Sequence, residues 1–108
     1  LLQFLWSQIF SIFYIFIHIL AIMEINNLIK IIKAKLATNF TINSITIEDK
    51  SFLHTKHDFF DKRKFHIKLT ISSPELKNID TITANRKIYG ILKNEMKKSI
   101  HSLQIFII

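Results

Sequence analysis

The chain has 108 residues, enough for one small domain, and contains no cysteine. That excludes a disulfide scaffold, a thiolate nucleophile and an all-protein thiolate metal site, so any metal must use His, Asp or Glu or share a partner's sulfur. A net charge of +7 and a pI near 9.8 favour acidic partners, although the dominance of Ile, Lys and Asn accounts for the charge equally well as a coding bias.

Residues 1–22 carry no Asp, Glu, Lys or Arg. The segment is about the ~20 residues that span a bilayer as a helix, interrupted by Gln3, Ser7, Gln8, Ser11 and His18. Lys30, Lys33 and Lys35 follow it, so a true span would leave the rest of the chain on the cytoplasmic side. A secretory signal fits poorly, since neither a basic n-region nor a small-x-small cleavage site precedes Met23. The first methionine is Met23, and every Asp, Glu, Lys and Arg lies after it. Three readings stay open: upstream sequence outside the native protein, a leader or anchor, or a packed helix. The division expected is a 1–22 apolar segment and a 23–108 domain.

Residues 24–38 read as an amphipathic helix, with Ile25, Leu28, Ile29, Ile32 and Leu36 on one stripe. Residues 44–49 alternate, Ile45 and Ile47 against Thr46 and Glu48, as a half-buried strand does. A long polar connection over 50–63 holds His54, His57, Asp58 and Asp61. Residues 64–71 alternate again, with Phe65, Ile67, Leu69 and Ile71 inward and His66, Lys68 and Thr70 outward. Pro74 suits the first position of a short helical turn. A second long helix is expected over 83–98, its apolar stripe Ile88, Ile91, Leu92 and Met96, with Arg86, Lys93 and Lys97 on another face. A last strand follows over 103–107, which puts His101 at a helix-to-strand joint.

The order α-β-β-α-β implies an α+β fold: a three-stranded mixed sheet covered on one face by two helices. The second helix is long enough to cross over, so the second and third strands can be parallel. His54 after the first strand and His101 before the third then lie at one edge and can face one site.

Four segments in this order resemble the BolA family, over most of the chain after Met23. Asp49-Lys50-Ser51-Phe52-Leu53-His54 is similar to its D-x-S-x-x-H segment. Phe65-His66-Ile67-Lys68-Leu69-Thr70-Ile71-Ser72 is similar to its second strand. Arg86-Lys87-Ile88-Tyr89 with Leu92 and Glu95-Met96 is similar to its R-x-x-Y/N-x-x-L-x-x-E-[LM] helix. Ile100-His101-Ser102-Leu103 is similar to its I-H-A-L signature. Two positions depart from the pattern: Ala84-Asn85-Arg86 stands where Arg-His-Arg is usual, and Ser102 where Ala is usual. The resemblance implies a fold related to the type II KH domain. The G-x-x-G clamp of KH domains cannot be built from Gly90 alone.

The resemblance further implies a partner of monothiol glutaredoxin in [2Fe–2S] cluster binding, transfer or iron sensing. Glutaredoxin and glutathione would supply thiolates, and this chain imidazole from His101 and His54, with His57 as a substitute for His54. No cofactor is expected on the isolated chain, which would be a monomer alone and a heterodimer with its partner. Neutral imidazole suits iron, so binding should weaken in acid. The alternative is a DNA-binding regulator using Arg86, Lys87, Lys93, Lys97 and Lys98, whose affinity would fall with salt. No nucleophile is paired with an oriented base at a recognisable spacing, so no enzyme is expected. The expected compartment is the cytoplasm, or an organellar (mitochondrial) matrix if the first segment belongs to a leader. Membrane contact would depend on residues 1–22 being a native anchor.

Overall fold

The computed structural model describes residues 1–51 and 64–108. Among them the order is α1 (Leu2–Asn39), β1 (Ser44–Asp49), β2 (Phe65–Ser72), α2 (Pro74–Lys77), α3 (Thr81–Ile91), α4 (Lys93–Lys98) and β3 (Ile100–Ile107). The strands form one mixed sheet in the order β1-β2-β3, antiparallel between β1 and β2 and parallel between β2 and β3. The class is α+β, as the alternation of Ile45, Ile47 and the β2 residues implies.

Strand β2 alternates strictly between buried and half-buried positions. Its inward Phe65, Ile67, Leu69 and Ile71 meet Leu28, Ile32 and Leu36 of α1, Ala84 and Ile88 of α3, and Leu92, in one core closed by Leu76, Ile100 and Leu103. The helices therefore cover one face of the sheet and leave the face of His66, Lys68 and Thr70 open.

The elements depart from the sequence reading in four main respects. Helix α1 is continuous from Leu2 to Asn39, so the amphipathic stretch is the last part of a longer helix. The second long helix starts earlier, at Thr81, because Asp80 caps it: Thr83 N–H donates to Asp80 Oδ2 at 3.0 Å and Thr83 Oγ1 to Asp80 Oδ1 at 2.7 Å. It also breaks at Leu92, whose backbone (φ −94°, ψ 18°) leaves helical geometry. Strand β3 begins at Ile100 rather than Leu103, which places His101 and Ser102 inside the strand.

Candidate metal-binding face

A regular strand sends positions i and i+3 to opposite faces. Yet Ile100 and Leu103 are both buried, while His101 and Ser102 are both exposed. A bulge reconciles them: Phe65 pairs with Ile100 but His66 pairs with Ser102, so His101 is the extra residue. The inserted position turns two successive side chains onto the open face. Tyr89 Oη holds the strand just beyond, donating to the Leu103 carbonyl at 2.7 Å.

The bulge brings His101 against His66, with ring centroids 4.8 Å apart and planes at 62°. His66 is itself positioned from two sides. Its Nδ1 lies 2.7 Å from Ser102 Oγ, a hydrogen bond whose direction follows the imidazole tautomer. When Nδ1–H donates, the imidazole is the tautomer whose lone pair sits on Nε2, the one usual for a metal-ligating histidine. On the other side, His66 N–H donates to Ser51 Oγ at 3.1 Å, and Lys50 N–H donates to the His66 carbonyl at 2.7 Å. Ser51 is in turn tied to the Asp49 carboxylate through its hydroxyl and, at 2.9 Å, its N–H. The D-x-S segment thus clamps the start of β2. His66, Ser102, Asp49 and Ser51 were not singled out as site residues by sequence reasoning, because the contact between His66 and Ser102 depends on a parallel register with a bulge.

The end of β1 and the start of β3 lie at the same end of the sheet, where β2 starts, but on opposite edges of that central strand rather than along a single edge. His54 and His57 lie outside the described residues. The connection that carries them follows Ser51, whose Oγ accepts from the His66 N–H, and precedes Lys64, two residues before His66 in the chain. Among the described residues, no three His, Cys, Asp or Glu side chains group to hold a metal. Two adjacent imidazoles on an open face fit a centre whose remaining donors come from another molecule, and do not fit a closed protein cage.

The basic residues are arranged differently. Arg86, Lys87, Lys93, Lys97 and Lys98 are all exposed, but the break at Leu92 interrupts the stripe expected of Arg86, Lys93 and Lys97. Arg86 and Lys87 border a depression beside Asn39 and Phe40, whereas Lys98 borders a cavity between α1 and α4 with Lys35 and Glu95. The Lys87 charge also acts on Glu75, whose carboxylate is held below its ordinary range first by the Thr41 N–H, which donates to it at 2.8 Å.

These features define a class of small α+β modules: helices on one sheet face, an open opposite face, and histidines at one end. The model of the BolA-like protein family matches residues 36–108, and the chain belongs to that family. It is 33% identical over 67 residues to the UV-induced protein uvi31 of Schizosaccharomyces pombe, covering 58% of this chain and 66% of that protein, just under two thirds of its length. It is 32% identical over 76 residues to the DNA-binding transcriptional regulator BolA of Haemophilus influenzae, covering 70% of this chain and 71% of that one. Among solved structures it is similar to the BolA domain of SufE1 from Arabidopsis thaliana, with TM-score 0.60 and 29% identity over 70% of this chain and 84% of that one. BolA1 from the same plant has the same fold, at TM-score 0.60 and 24% identity over 70% of this chain and 84% of that one.

Proposed function

We propose that this BolA-like chain shares a [2Fe–2S] cluster with a monothiol glutaredoxin, contributing imidazole while the partner and glutathione contribute sulfur. The observation that carries the reading is the bulged His101, turned outward beside His66 at the end of the sheet where the His54 loop departs. His101 is the assigned ligand, and His54 the second, with His57 as its substitute. His66, held by Ser102, stands close enough to His101 to serve in place of the loop residues. When bound, such a cluster supplies electron transfer or iron transfer. The chain's own part is to present neutral imidazole, which lowers the negative charge of an otherwise thiolate-bound centre.

The test is the visible absorption and iron content of the mixed complex with a monothiol glutaredoxin. His101→Ala is expected to alter the spectrum and shorten the lifetime of the coloured species. An unchanged spectrum and lifetime would remove His101 as a ligand. His54→Ala and His66→Ala, measured side by side, identify the second imidazole.

A second reading is supported by the name of the Haemophilus relative, a DNA-binding transcriptional regulator. In that reading Arg86 and Lys87 of α3 and the lysines of α4 contact phosphate. Binding to duplex DNA would then fall steeply between two salt concentrations. Absence of binding at low salt would exclude it.

A further inference from the structure

Helix α1 has two parts with different surroundings. From Ile25 onward it packs on the domain, Ile25 half-buried against the core and Leu28, Ile32 and Leu36 buried in it. Before Glu24 the large apolar residues, from Leu1 to Met23, are exposed. The exposure runs all round the axis. Ile12, Phe13, Tyr14, Ile15, Phe16 and Ile17 are consecutive, make more than one full turn, and are each 48–66% exposed. A partner protein's groove or a second copy would cover one stripe of such a helix. A surrounding apolar medium covers the whole apolar arc, which leaves only the narrower side of Gln3, Ser7, Ser11 and His18 polar.

Length and charge agree with that occupant. Residues 2–23 rise ~33 Å as a helix, against ~30 Å for a bilayer's hydrocarbon core. The one ionisable side chain with a basic nitrogen within them, His18, is bonded inside the helix, its Nδ1 donating to the Tyr14 carbonyl at 2.9 Å. Lys30, Lys33 and Lys35 follow on the domain side, the placement of a cytoplasmic or matrix flank.

The junction also fixes which end of the domain meets the lipid. Glu24, Asn27, Leu28 and Ile31 line one cavity with Phe65 and Ser99. Phe65 opens β2 and Ser99 immediately precedes β3, so α1 leaves the domain at the His66–His101 end. Its far end, at Asn39, meets the opposite end of the sheet, where Asn43 N–H donates to the Ser72 carbonyl at 2.8 Å. About 8 Å of unbroken helix separates Met23 from Leu28.

We propose that residues 2–23 are a single-pass bilayer anchor, continuous with the domain, that holds the histidine end of the sheet against the membrane surface. The anchoring stands apart from the cluster reading; only the use of the membrane-facing end rests on it. Because the chain has no cysteine, single-site labelling is clean. The full-length chain is reconstituted in phosphatidylcholine vesicles containing phosphatidylglycerol, with a fluorophore on Lys64→Cys or on Thr41→Cys. The chain should resist alkaline carbonate extraction, and headgroup-nitroxide lipid should quench the Lys64→Cys label several-fold more than the Thr41→Cys label. Ile12→Lys with Phe16→Lys should release the chain while leaving its coloured complex with glutaredoxin intact, which separates failure of anchoring from failure of the cluster reading. Release of the unaltered chain by carbonate, a lipid-free soluble oligomer, or equal quenching of the two labels would overturn the proposal. So would recovery of the native protein as a soluble chain cleaved beyond residue 23.

Discussion

Ser102 stands where the family usually has Ala, and in this fold the difference has a contact: its hydroxyl lies 2.7 Å from His66 Nδ1. The bond is exposed, so Ser102→Ala should change unfolding free energy by no more than ~1 kcal/mol. It should nonetheless move the ring nitrogen resonances of His66 in a 15N spectrum, because the tautomer loses its partner. Unmoved resonances would show that Ser102 does not orient the ring. Two other residues contribute to the acid response. Glu75 and Asp80 have carboxylates held below their ordinary range, Glu75 by the Thr41 N–H and Asp80 by the Thr83 hydroxyl and then its N–H. A carboxylate depressed by folding stabilises the native state above its unfolded pKa, and that contribution disappears as pH falls through the folded value. The melting temperature should therefore drop on acidification below the ordinary carboxylate range, and Glu75→Gln with Asp80→Asn should flatten that slope. An unchanged slope would mean that other carboxylates dominate.

The bulge at the start of β3 is the element on which the site depends. Its sequence signal is present, in Ile100 and Leu103 spaced by three beside an otherwise alternating strand. That spacing also suits a helix end joined to a strand, which is why the sequence alone places the strand start at Leu103. Deleting His101 should close the bulge, because Ile100, Leu103 and Ile105 would then alternate strictly with Ser102 and Gln104. We expect a cooperatively unfolding protein, checked by thermal melting, that no longer forms the mixed cluster. A molten product would show that the bulge is needed for the fold itself. The helices are held by buried aliphatics rather than by propensity. Ile88, fully buried in α3, should cost about 2–5 kcal/mol when replaced by Ala. Ile82, 65% exposed on the same helix, should cost within ~0.5 kcal/mol, and urea titration of both variants checks the contrast.

At the scale of the molecule, local periodicity carried most of the architecture. The alternation of Ile45 and Ile47 located β1 residue for residue, Pro74 marked α2, and the apolar spacing of Leu28, Ile32 and Leu36 identified the packed part of α1. What remained hidden is non-local. No Pro stands at the break at Leu92, where Gly90 in the last turn of α3 is the one local signal, and the pairing of His66 with His101 needs two strands brought parallel by a crossover. Even the continuity of α1 depends on its apolar first part sharing one helix axis with a stripe that ends in the core. That rod accounts for the molecule's 67 Å long axis, against 24 and 21 Å across.

The central claim is that an imidazole of this chain ligates iron in a cluster whose sulfur belongs to another molecule. Pulsed electron paramagnetic resonance of the reduced mixed complex, with 15N-histidine in this chain alone, reads that bond directly. A strong 15N hyperfine coupling, lost or altered in His101→Ala, is the expected result. A cluster spectrum without histidine nitrogen coupling would contradict it.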